Sequence, residues 1–300
     1  MLITTAPPEV AGMNPTTIAN LRDQSIDLLS RAGVPSPDVD AELLIGHVLG
    51  MSRGAVQARA ITGVTLSLED VLAVNDAVAR RAAREPLQHI TGFAAFRSIE
   101  LAVGPGVFVP RPETETVVQF AIDALRSTAS ERPIGIDLGT GSGAIALAMA
   151  TEVPHSRVYG VEVSPNAFVW TKQNFRTVAP DNATAVFIDL AYALPELNGT
   201  VDVVISNPPY IPLGAIPRDP EVRLFDPEIA LYGGEDGLDI VRQVSVTAAR
   251  LLHAGGTLVL EHGELQAEAI ADILRADGWR AVASHRDLLG RDRATTALRS

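Results

Sequence analysis

The apolar residues in the first part of the chain recur at helical spacing. One apolar helix face contains Ile18, Leu21, Ile26, Leu28 and Leu29. A second helix is predicted over residues 41–49 with Gly50 at its end, and a third from Ser67 to about Arg84. Residues 1–88 are therefore predicted to form a small helical domain that packs or docks a partner.

The pattern changes over residues 89–111. Here Gly92 and Gly106 interrupt short apolar runs such as 101–103 and 107–109. Short apolar runs separated by glycine and proline are typical of strands joined by turns. This part is predicted to be a β-hairpin linker.

From residue 112 onward, short strand-like runs alternate with amphipathic stretches. The predicted strands are 134–138, 158–163, 185–188, 201–206, 257–261, 280–284 and 295–298. The predicted helices are 113–127, 144–152, 165–175, 238–253 and 264–276. This alternation predicts an α/β domain over residues 112–300, with a doubly wound, mostly parallel sheet that binds ligands at the carboxyl ends of its strands.

Composition supports folded domains and excludes several kinds of chemistry. Of the 300 residues, 47% are hydrophobic and 20% are charged, which is enough apolar material for sizeable cores. The sequence has no cysteine, so disulfides, thiolate metal sites and cysteine nucleophiles are excluded. The 6 histidines lack metal-ligand spacing, and no metal is predicted.

Charge and hydropathy bear on the partners and the compartment. The sequence has 24 basic and 36 acidic residues, a net charge of −12, which disfavours binding to nucleic acid because phosphate affinity depends largely on basic side chains. The longest uncharged stretch, residues 203–217, is too short and too rich in proline to span a membrane. Residues 1–5 lack the basic start of a secretory signal, so a cytoplasmic location is expected.

A glycine-rich loop follows the strand predicted over 134–138. Its residues are Gly139, Thr140, Gly141, Ser142 and Gly143. Glycines allow a tight turn and let backbone N–H groups approach a ligand closely. The same spacing fits dinucleotide-binding loops, so the loop alone leaves a nicotinamide-dependent oxidoreductase open.

Acidic residues at three strand ends favour a different cofactor. Asp137 precedes the loop, where it would repel a pyrophosphate but suit a ligand that carries an ammonium and a sulfonium; its other interpretation is a cap for the loop amides. Glu162 ends the next strand about 20 residues on, where a carboxylate accepts hydrogen bonds from the hydroxyls of an adenosine ribose. Asp189 is expected near the adenine amine, with Leu190 packing on the ring. NAD presents the same ribose, so Glu162 does not separate the two cofactors, and it is Asp137 that favours S-adenosylmethionine.

The strand predicted over 201–206 runs directly into Asn207, Pro208, Pro209 and Tyr210. An amino group attached to a planar carbonyl or ring is a poor nucleophile because its lone pair is delocalised. The Asn207 side-chain oxygen and the Pro208 carbonyl are suited to accept its two N–H bonds and aim the nitrogen at a methyl group. Pro209 stiffens the turn, and Tyr210 packs on the flat target. Alignment then supplies much of the acceleration, without a strong base.

This motif resembles the signature of class I methyltransferases that act on planar amino nitrogens. The segments 85–92, 109–115, 227–239 and 287–293 narrow the resemblance to the release-factor glutamine methyltransferases, the HemK/PrmC family. The resemblance covers most of the sequence from about residue 85 onward. It implies a class I methyltransferase fold preceded by a helical substrate-docking domain.

The resemblance also implies a reaction. The family methylates the side-chain N5 of the glutamine in the Gly-Gly-Gln motif of class 1 peptide-chain release factors, with S-adenosylmethionine as methyl donor. Asn207 and Pro208 would hold the amide beside Tyr210, while residues 139–143 and Glu162 would hold the cofactor, with Asn207 also at its edge. No direct contact with nucleic acid or membrane is expected.

The alternatives are an N6-adenine-type methyltransferase, a nicotinamide-dependent oxidoreductase and a non-catalytic binding module. The segment Glu261-His262-Gly263 is assigned a structural role.

Overall fold

The architecture is that of a computed structural model, which describes residues 16–179 and 181–300. The expectation drawn from residues 1–5 lies outside the described residues. The protein divides into two compact units between Thr91 and Gly92. Within the described ranges, no helix has the length and apolar character needed to cross a membrane.

The first unit is helical, as the sequence predicts. Its helices are α1 (Ile18–Arg31), α2 (Pro37–Leu49), α3 (Arg53–Ile61), α4 (Leu68–Ala82) and α5 (Leu87–Thr91). The side chains of Thr17, Ser52 and Ser67 accept backbone N–H groups at the starts of α1, α3 and α4. Gly50 ends α2 in the left-handed conformation, with φ 63°. The apolar faces of the helices meet in a shared core.

A buried carboxylate joins three helices of this unit. Glu42 on α2, whose side chain is 1% exposed, accepts hydrogen bonds from Arg22 on α1 (2.8 Å) and from Arg53 (2.6 Å) and Gln57 (2.8 Å) on α3. Burial alone raises the pKa of Glu42, but these donors outweigh burial and hold the pKa below its ordinary value. The ionised form is therefore the one that the fold stabilises.

The second unit contains a hairpin, a seven-stranded sheet and flanking helices. Its strands are β1 (Phe93–Phe96), β2 (Ile99–Ala102), β3 (Ile134–Leu138), β4 (Arg157–Glu162), β5 (Ala183–Phe187), β6 (Val201–Ser206), β7 (Leu252–Glu261), β8 (Arg280–Arg286) and β9 (Asp292–Leu298). Its helices are α6 (Pro112–Ser127), α7 (Ala144–Glu152), α8 (Pro165–Val178), α9 (Pro220–Phe225), α10 (Asp239–Leu251) and α11 (Ala267–Ala276).

The strand order of the sheet is β5-β4-β3-β6-β7-β9-β8. Strands β3 to β7 are parallel, whereas β9 and β8 pair antiparallel. The polypeptide moves outward from β3 through β4 and β5 and then returns to β6 on the other side of β3. Ligands of doubly wound sheets bind at such a reversal of strand order. The predicted fold class, a doubly wound and mostly parallel sheet, is confirmed.

Apolar layers cover both faces of the sheet. Helices α6, α7 and α8 form one layer with the sheet, and α10 and α11 form the other. Strands β3 and β6 are buried along their whole length. Close packing on both faces fixes where the carboxyl ends of these strands lie.

The hairpin of β1 and β2 packs within the second unit. Ala94, Phe96 and Leu101 are buried in the same apolar core as helices α6 to α8. Asn174 on α8 exchanges two hydrogen bonds with the backbone of Ala102, at 2.8 and 2.9 Å. The linker boundaries expected from the sequence remain a prediction, while the compact units divide after α5.

Candidate active site

A cavity of about 940 Å³ opens at the carboxyl ends of the parallel strands. It lies where the strand order reverses, and its volume is typical of a small-molecule site. Its walls include these residues singled out from the sequence: Gly139, Thr140, Gly141, Ser142, Glu162, Asp189, Leu190, Asn207, Pro208, Pro209 and Tyr210. Asp137 and Gly143 were predicted with them but are not part of the lining.

The glycine loop turns on left-handed residues. Gly139, Gly141 and Gly143 have φ values of 79°, 57° and 91°, which other residues rarely adopt. A Cβ atom on Gly143 would lie 2.8 Å from the Phe175 ring of α8, whereas Cβ atoms on Gly139 and Gly141 would meet nothing within 4 Å. Gly143 therefore permits close packing behind the loop, and the other two glycines leave open space in front of it.

Asp137 organises the loop from beneath. The residue is 0% exposed, and its Oδ2 accepts hydrogen bonds from the Thr140 hydroxyl (2.5 Å) and from the Ala146 N–H on α7 (3.2 Å). Its Oδ1 has no hydrogen-bond partner. Burial raises the pKa of Asp137 to about 7, and the nearby charge of Glu162 adds to the effect. Asp137 therefore joins the loop to the start of α7 through a hydroxyl and a helix amide, not through the loop amides, and its contact with the cofactor stays a prediction.

Glu162 is held beside the loop by backbone donors. Its Oε2 accepts the N–H of Gly141 (2.8 Å), and its Oε1 accepts those of Val163 (2.9 Å) and Ser164 (2.7 Å). The Ser164 hydroxyl in turn accepts the N–H of Ala167 and begins α8. Because an ionised carboxylate offers about four acceptor positions, Glu162 keeps capacity for a ligand hydroxyl.

Asp189 and Leu190 form the wall that follows β5. Asp189 Oδ1 accepts the N–H of Ala191 at 2.9 Å and begins a short 3-10 helix, Leu190–Tyr192. Asp189 is exposed and Leu190 half-buried, and both line the cavity. The strand order places this wall next to the end of β4, which carries Glu162.

The Asn-Pro-Pro-Tyr motif continues directly from the end of β6. Ser206, the last residue of β6, donates its hydroxyl hydrogen bond to the carbonyl of Leu138 at the end of β3, at 2.6 Å. This bond joins the strand that leads into the motif to the strand that leads into the glycine loop. Pro208 and Pro209 restrict the backbone through their fixed φ angles.

Tyr210 is fixed through its backbone. Its carbonyl accepts a hydrogen bond from Gln266 Nε2 (2.9 Å), and Gln266 Oε1 accepts the N–H of Gly263 (3.0 Å). Burial raises the pKa of the Tyr210 hydroxyl above its usual value, and the charge of Glu261 adds to this. Tyr210 therefore remains a neutral phenol near physiological pH.

The segment 231–237 supports the motif from outside. The Ile211 N–H donates to the Leu231 carbonyl, and the Gly233 N–H donates back to the Ile211 carbonyl, both at 2.9 Å. A Cβ atom on Gly233 would lie 2.3 Å from the Pro209 carbonyl oxygen. This close approach requires glycine at position 233, within the segment 227–239 that carries part of the family resemblance.

An ion pair joins Arg111, which lines the cavity, to Asp226 at the end of α9. Arg111 contacts Asp226 at 2.6 Å, and its guanidinium lies 4.8 Å from the centroid of the Phe108 ring. Burial raises the pKa of Asp226 to about 6, although Arg111 opposes the shift. Nothing in the sequence pattern pairs these two positions, which are brought together by the fold.

Glu261 was assigned a structural role from the sequence together with its neighbour His262. His262 fits that role, since it is 0% exposed and its ring nitrogens contact the Gly263 carbonyl and the Thr295 hydroxyl, both at 2.9 Å. Glu261 instead lines the cavity at the end of β7. The signal for it was an acidic residue directly at the carboxyl end of a buried parallel strand, the same signal that identified Glu162.

The cavity walls fit a cationic nucleoside cofactor. Glu162 and Asp189 place carboxylates on the cavity lining at the ends of β4 and β5, and open space lies in front of Gly139 and Gly141. Carboxylates in this position accept hydrogen bonds from the ribose hydroxyls of a nucleoside cofactor. Reversal of strand order, a glycine loop and an Asn-Pro-Pro-Tyr turn at adjacent strand ends together define a class I methyltransferase domain.

Comparisons with known proteins agree with this class and narrow it. The family model described as PrmC N-terminal domain matches residues 20–92, and the Methyltransferase small domain model matches residues 99–216. Release factor glutamine methyltransferases from Streptomyces coelicolor and Bifidobacterium longum are 49% and 45% identical to this protein. The alignments cover 91% and 92% of this protein and 95% and 97% of the relatives. The protein belongs to the release factor glutamine methyltransferase family.

Another relative carries a different name. The 4-amino-L-phenylalanine/4-methylamino-L-phenylalanine methyltransferase of Streptomyces pristinaespiralis is 37% identical, over 95% of this protein and 96% of the relative. Its named substrates also present an amino nitrogen on a planar group. Proteins that are similar over nearly their full length can therefore be named for different substrates.

Proposed function

We propose that this protein transfers a methyl group from S-adenosylmethionine to the side-chain N5 of the glutamine in the Gly-Gly-Gln motif of class 1 peptide-chain release factors. The observation that carries the proposal is the placement of residues 207–210 on the same cavity wall as the glycine loop, in a protein that belongs to this family. Release factors act in translation termination, so the reaction belongs in the cytoplasm.

The proposed catalytic effect is to align the target amide nitrogen with the methyl group of the cofactor. The Asn207 side-chain oxygen and the Pro208 carbonyl accept the two N–H bonds of the glutamine amide, and Tyr210 packs against the flat amide. When bound, S-adenosylmethionine supplies an electrophilic methyl group on its sulfonium. Holding the nitrogen in line with that methyl removes much of the entropic barrier. The methylated nitrogen is acidic and loses its extra proton to water, so no side-chain base is assigned.

On the cofactor side, the proposed contacts come from the glycine loop and three strand ends. Glu162 accepts the ribose hydroxyls, and Asp189 accepts the adenine amine with Leu190 packed on the ring. The remaining binding residues are the loop residues Gly139, Thr140, Gly141 and Ser142, with Asn207 at the edge. Asp137 and Gly143 act as positioning residues, because neither lines the cavity.

The proposed entry for the release factor is the apolar rim of the cavity. Ile216 and Ile229 line the cavity and are 74% and 56% exposed. Apolar side chains around a polar site suit a partner loop better than they suit a nucleic acid backbone. The helical first unit is proposed as an additional docking surface for the same partner.

A parallel assay of methyl transfer tests the proposal. The substrates are an intact class 1 release factor, the same factor with its motif glutamine replaced by alanine, 4-amino-L-phenylalanine and double-stranded DNA. We expect labelled methyl in the unmodified release factor alone. Methylation of the amino acid or of DNA in place of the release factor would contradict the proposed substrate and favour the aromatic amine or adenine alternative.

The variant Asn207→Ala tests the role of the motif. Methyl transfer to the release factor is expected to fall at least about a thousandfold, since one of two aligning acceptors is lost. Affinity for S-adenosylhomocysteine, measured by calorimetry, is expected to change less than about threefold, since the nucleoside contacts remain. The matched control is Asn198→Ala, an exposed asparagine outside the cavity lining. Full activity of Asn207→Ala would contradict the assignment.

A further inference from the structure

Two charged side chains lie on the cavity wall beside the motif and have no part in the chemistry above. In the parallel pairing of β6 with β7, Ser206 lies opposite Leu260, so Asn207 and Glu261 follow at neighbouring strand ends. In the antiparallel pairing of β7 with β9, Glu261 lies opposite Ala294, the residue after Arg293. Glu261 and Arg293 both line the cavity, as does Tyr210.

Each of these side chains has a buried polar atom without a hydrogen-bond partner. Glu261 is 2% exposed, and its Oε2 has no hydrogen-bond partner. Burial raises the pKa of Glu261 to about 7, and the Thr114 hydroxyl and the charge of Arg293 oppose this shift. The Nε of Arg293 is also buried without a hydrogen-bond partner, and the carboxylate oxygen of Asp287 that pairs with it is 3.9 Å away. Buried polar atoms in native proteins nearly always have partners, and leaving one unpaired costs about 1–3 kcal/mol. An acceptor and a donor beside the target site are therefore available to a ligand.

The fold holds Glu261 and Arg293 in fixed positions. Arg293 donates from Nη1 to the carbonyl of His262 at 3.2 Å, and His262 is fixed by its two ring contacts. Glu261 is the last residue of β7, and the final four residues of that strand are all buried. A donor and an acceptor held by the sheet lose little conformational entropy when a ligand binds.

Charged groups of both signs act on Tyr210. The charged groups acting on Tyr210 are Glu261, Arg293, Arg111 and Glu113, two acids and two bases. Glu261 and Arg293 offer one unpaired acceptor and one unpaired donor on the cavity lining, which suits a neutral group that has one donor and one acceptor. A peptide unit, with its N–H and C=O, has this chemistry.

We propose that Glu261 and Arg293 form a backbone subsite, in which the Glu261 carboxylate accepts a backbone N–H and Arg293 Nε donates to a backbone carbonyl of the substrate segment that carries the target glutamine. The proposal rests on the proposed function and identifies two residues that determine its substrate specificity. The subsite holds the peptide on one side of the target side chain while Asn207 and Pro208 hold the amide. It selects an extended peptide segment over a free base or a small amine.

Enzyme variants give the first test. Glu261→Ala removes the acceptor, and Glu261→Gln keeps its volume while removing its charge. With intact release factor we expect kcat/KM to fall about tenfold or more in Glu261→Ala and less in Glu261→Gln, mainly through KM, since a hydrogen bond to a charged group is lost. Affinity for S-adenosylhomocysteine is expected to stay within about twofold of wild type. The matched control, Glu268→Gln, changes an exposed acid at the start of α11 outside the cavity lining.

Substrate variants give the decisive test. Release factors are prepared in which one backbone N–H, at either glycine, at the glutamine or at the residue that follows it, is replaced by an ester oxygen. At one of these positions we expect the ester to lower kcat/KM about tenfold with wild-type enzyme and less than about twofold with Glu261→Ala, because the bond is already absent. Equal losses from every ester in both enzymes would overturn the proposal. Unmodified release factor run with wild-type enzyme separates the two claims, because its failure to accept methyl would refute the proposed function itself.

Discussion

Of two carboxylates near the glycine loop, Glu162 lines the cavity and Asp137 does not. Asp137 lies below the loop with no exposure, and its accepted bonds come from Thr140 and Ala146. Glu162 lies on the cavity wall with both oxygens already holding backbone N–H groups. The first residue therefore contributes to the shape of the loop, whereas the second is proposed to contact the ligand. The role of Asp137 is tested by the pH dependence of stability, and the role of Glu162 by cofactor affinity.

The signature of Asp137 is a pH-dependent stability difference. Its pKa of about 7 in the folded protein lies above the value of 3.8 expected when unfolded. The folded state therefore keeps a proton that the unfolded state has lost, and the stability that Asp137 contributes is lost as pH rises through about 7. Asn at this position does not titrate. We expect Asp137→Asn to gain up to about 2 kcal/mol of unfolding free energy relative to wild type between about pH 5.5 and about pH 8.5.

Urea unfolding of the two proteins at both pH values measures this difference. Titrating groups that do not interact with Asp137 contribute equally to both proteins, so their contributions cancel in the comparison. A difference that stays the same at both pH values would show that Asp137 does not hold a proton in the folded protein.

The signature of Glu162 is cofactor affinity. Glu162→Gln removes the charge that strengthens the proposed bonds to the ribose hydroxyls. We expect the Kd for S-adenosylhomocysteine, measured by calorimetry, to rise about tenfold or more. The control is Glu196→Gln, an exposed acid outside the cavity lining. An unchanged Kd would remove Glu162 from the cofactor site.

At the scale of elements, the site consists of short segments placed at the ends of buried strands. The glycine loop follows β3, the Asn-Pro-Pro-Tyr motif follows β6, and the Ser206 hydroxyl joins the two strand ends. The segment 231–237 then pairs with the residues just after the motif. The motif is thus held on one side by the sheet and on the other by a glycine-containing segment with no room for a side chain.

The close approach at Gly233 predicts that Gly233→Ala damages catalysis selectively. Its Cβ would lie 2.3 Å from the Pro209 carbonyl, so the motif must shift. We expect a fall in kcat/KM of about a hundredfold, because small misplacements of aligning groups are costly, and a loss of about 1–3 kcal/mol in unfolding free energy. Affinity for S-adenosylhomocysteine should change little.

Gly214→Ala is the matched control, since a Cβ at that position would meet nothing within 4 Å. Methyl-transfer kinetics and urea unfolding of the two variants are compared directly. Wild-type kinetics in Gly233→Ala would mean that the motif tolerates displacement.

At the scale of the whole molecule, the two units have separate cores and separate polar anchors. The residues that line the cavity all belong to the unit that begins at Gly92. The first unit is stabilised by its own apolar core and by Glu42, which joins α1, α2 and α3. Cofactor binding and the stability of the first unit are therefore expected to respond to different substitutions.

Replacement of Glu42 tests this separation. Glu42→Ala leaves the partly exposed Arg22 and Arg53 without their shared acceptor, and we expect a loss of about 1–3 kcal/mol in the unfolding free energy of the first unit. The KM for release factor should rise if the unit docks the substrate, while the Kd for S-adenosylhomocysteine stays unchanged. Glu69→Ala, at an exposed position of α4, is the control. A large change in cofactor affinity would contradict the separation.

The sequence predicted the elements of the sheet well because buried strands and amphipathic helices have distinct periods. The strands expected at 134–138 and 201–206 correspond to β3 and β6 residue by residue. The helix expected to end at residue 253 ends at Leu251, and β7 begins at once with Leu252, well before the predicted 257. Pairing of Leu252 with Val201 extends the strand there, and such pairing is invisible to local periodicity.

The sequence by itself determined the order of helices and strands, the glycine turns and the amide-proline-aromatic motif, because each depends on residues that are close in sequence. The tertiary structure decided which side chains reach the cavity. It placed Asp137 beneath the loop and brought Glu261 and Arg293 into the same cavity wall as Tyr210. The physical reason is that burial and pairing between distant residues depend on strand order and register, which are set by the packing of the whole sheet.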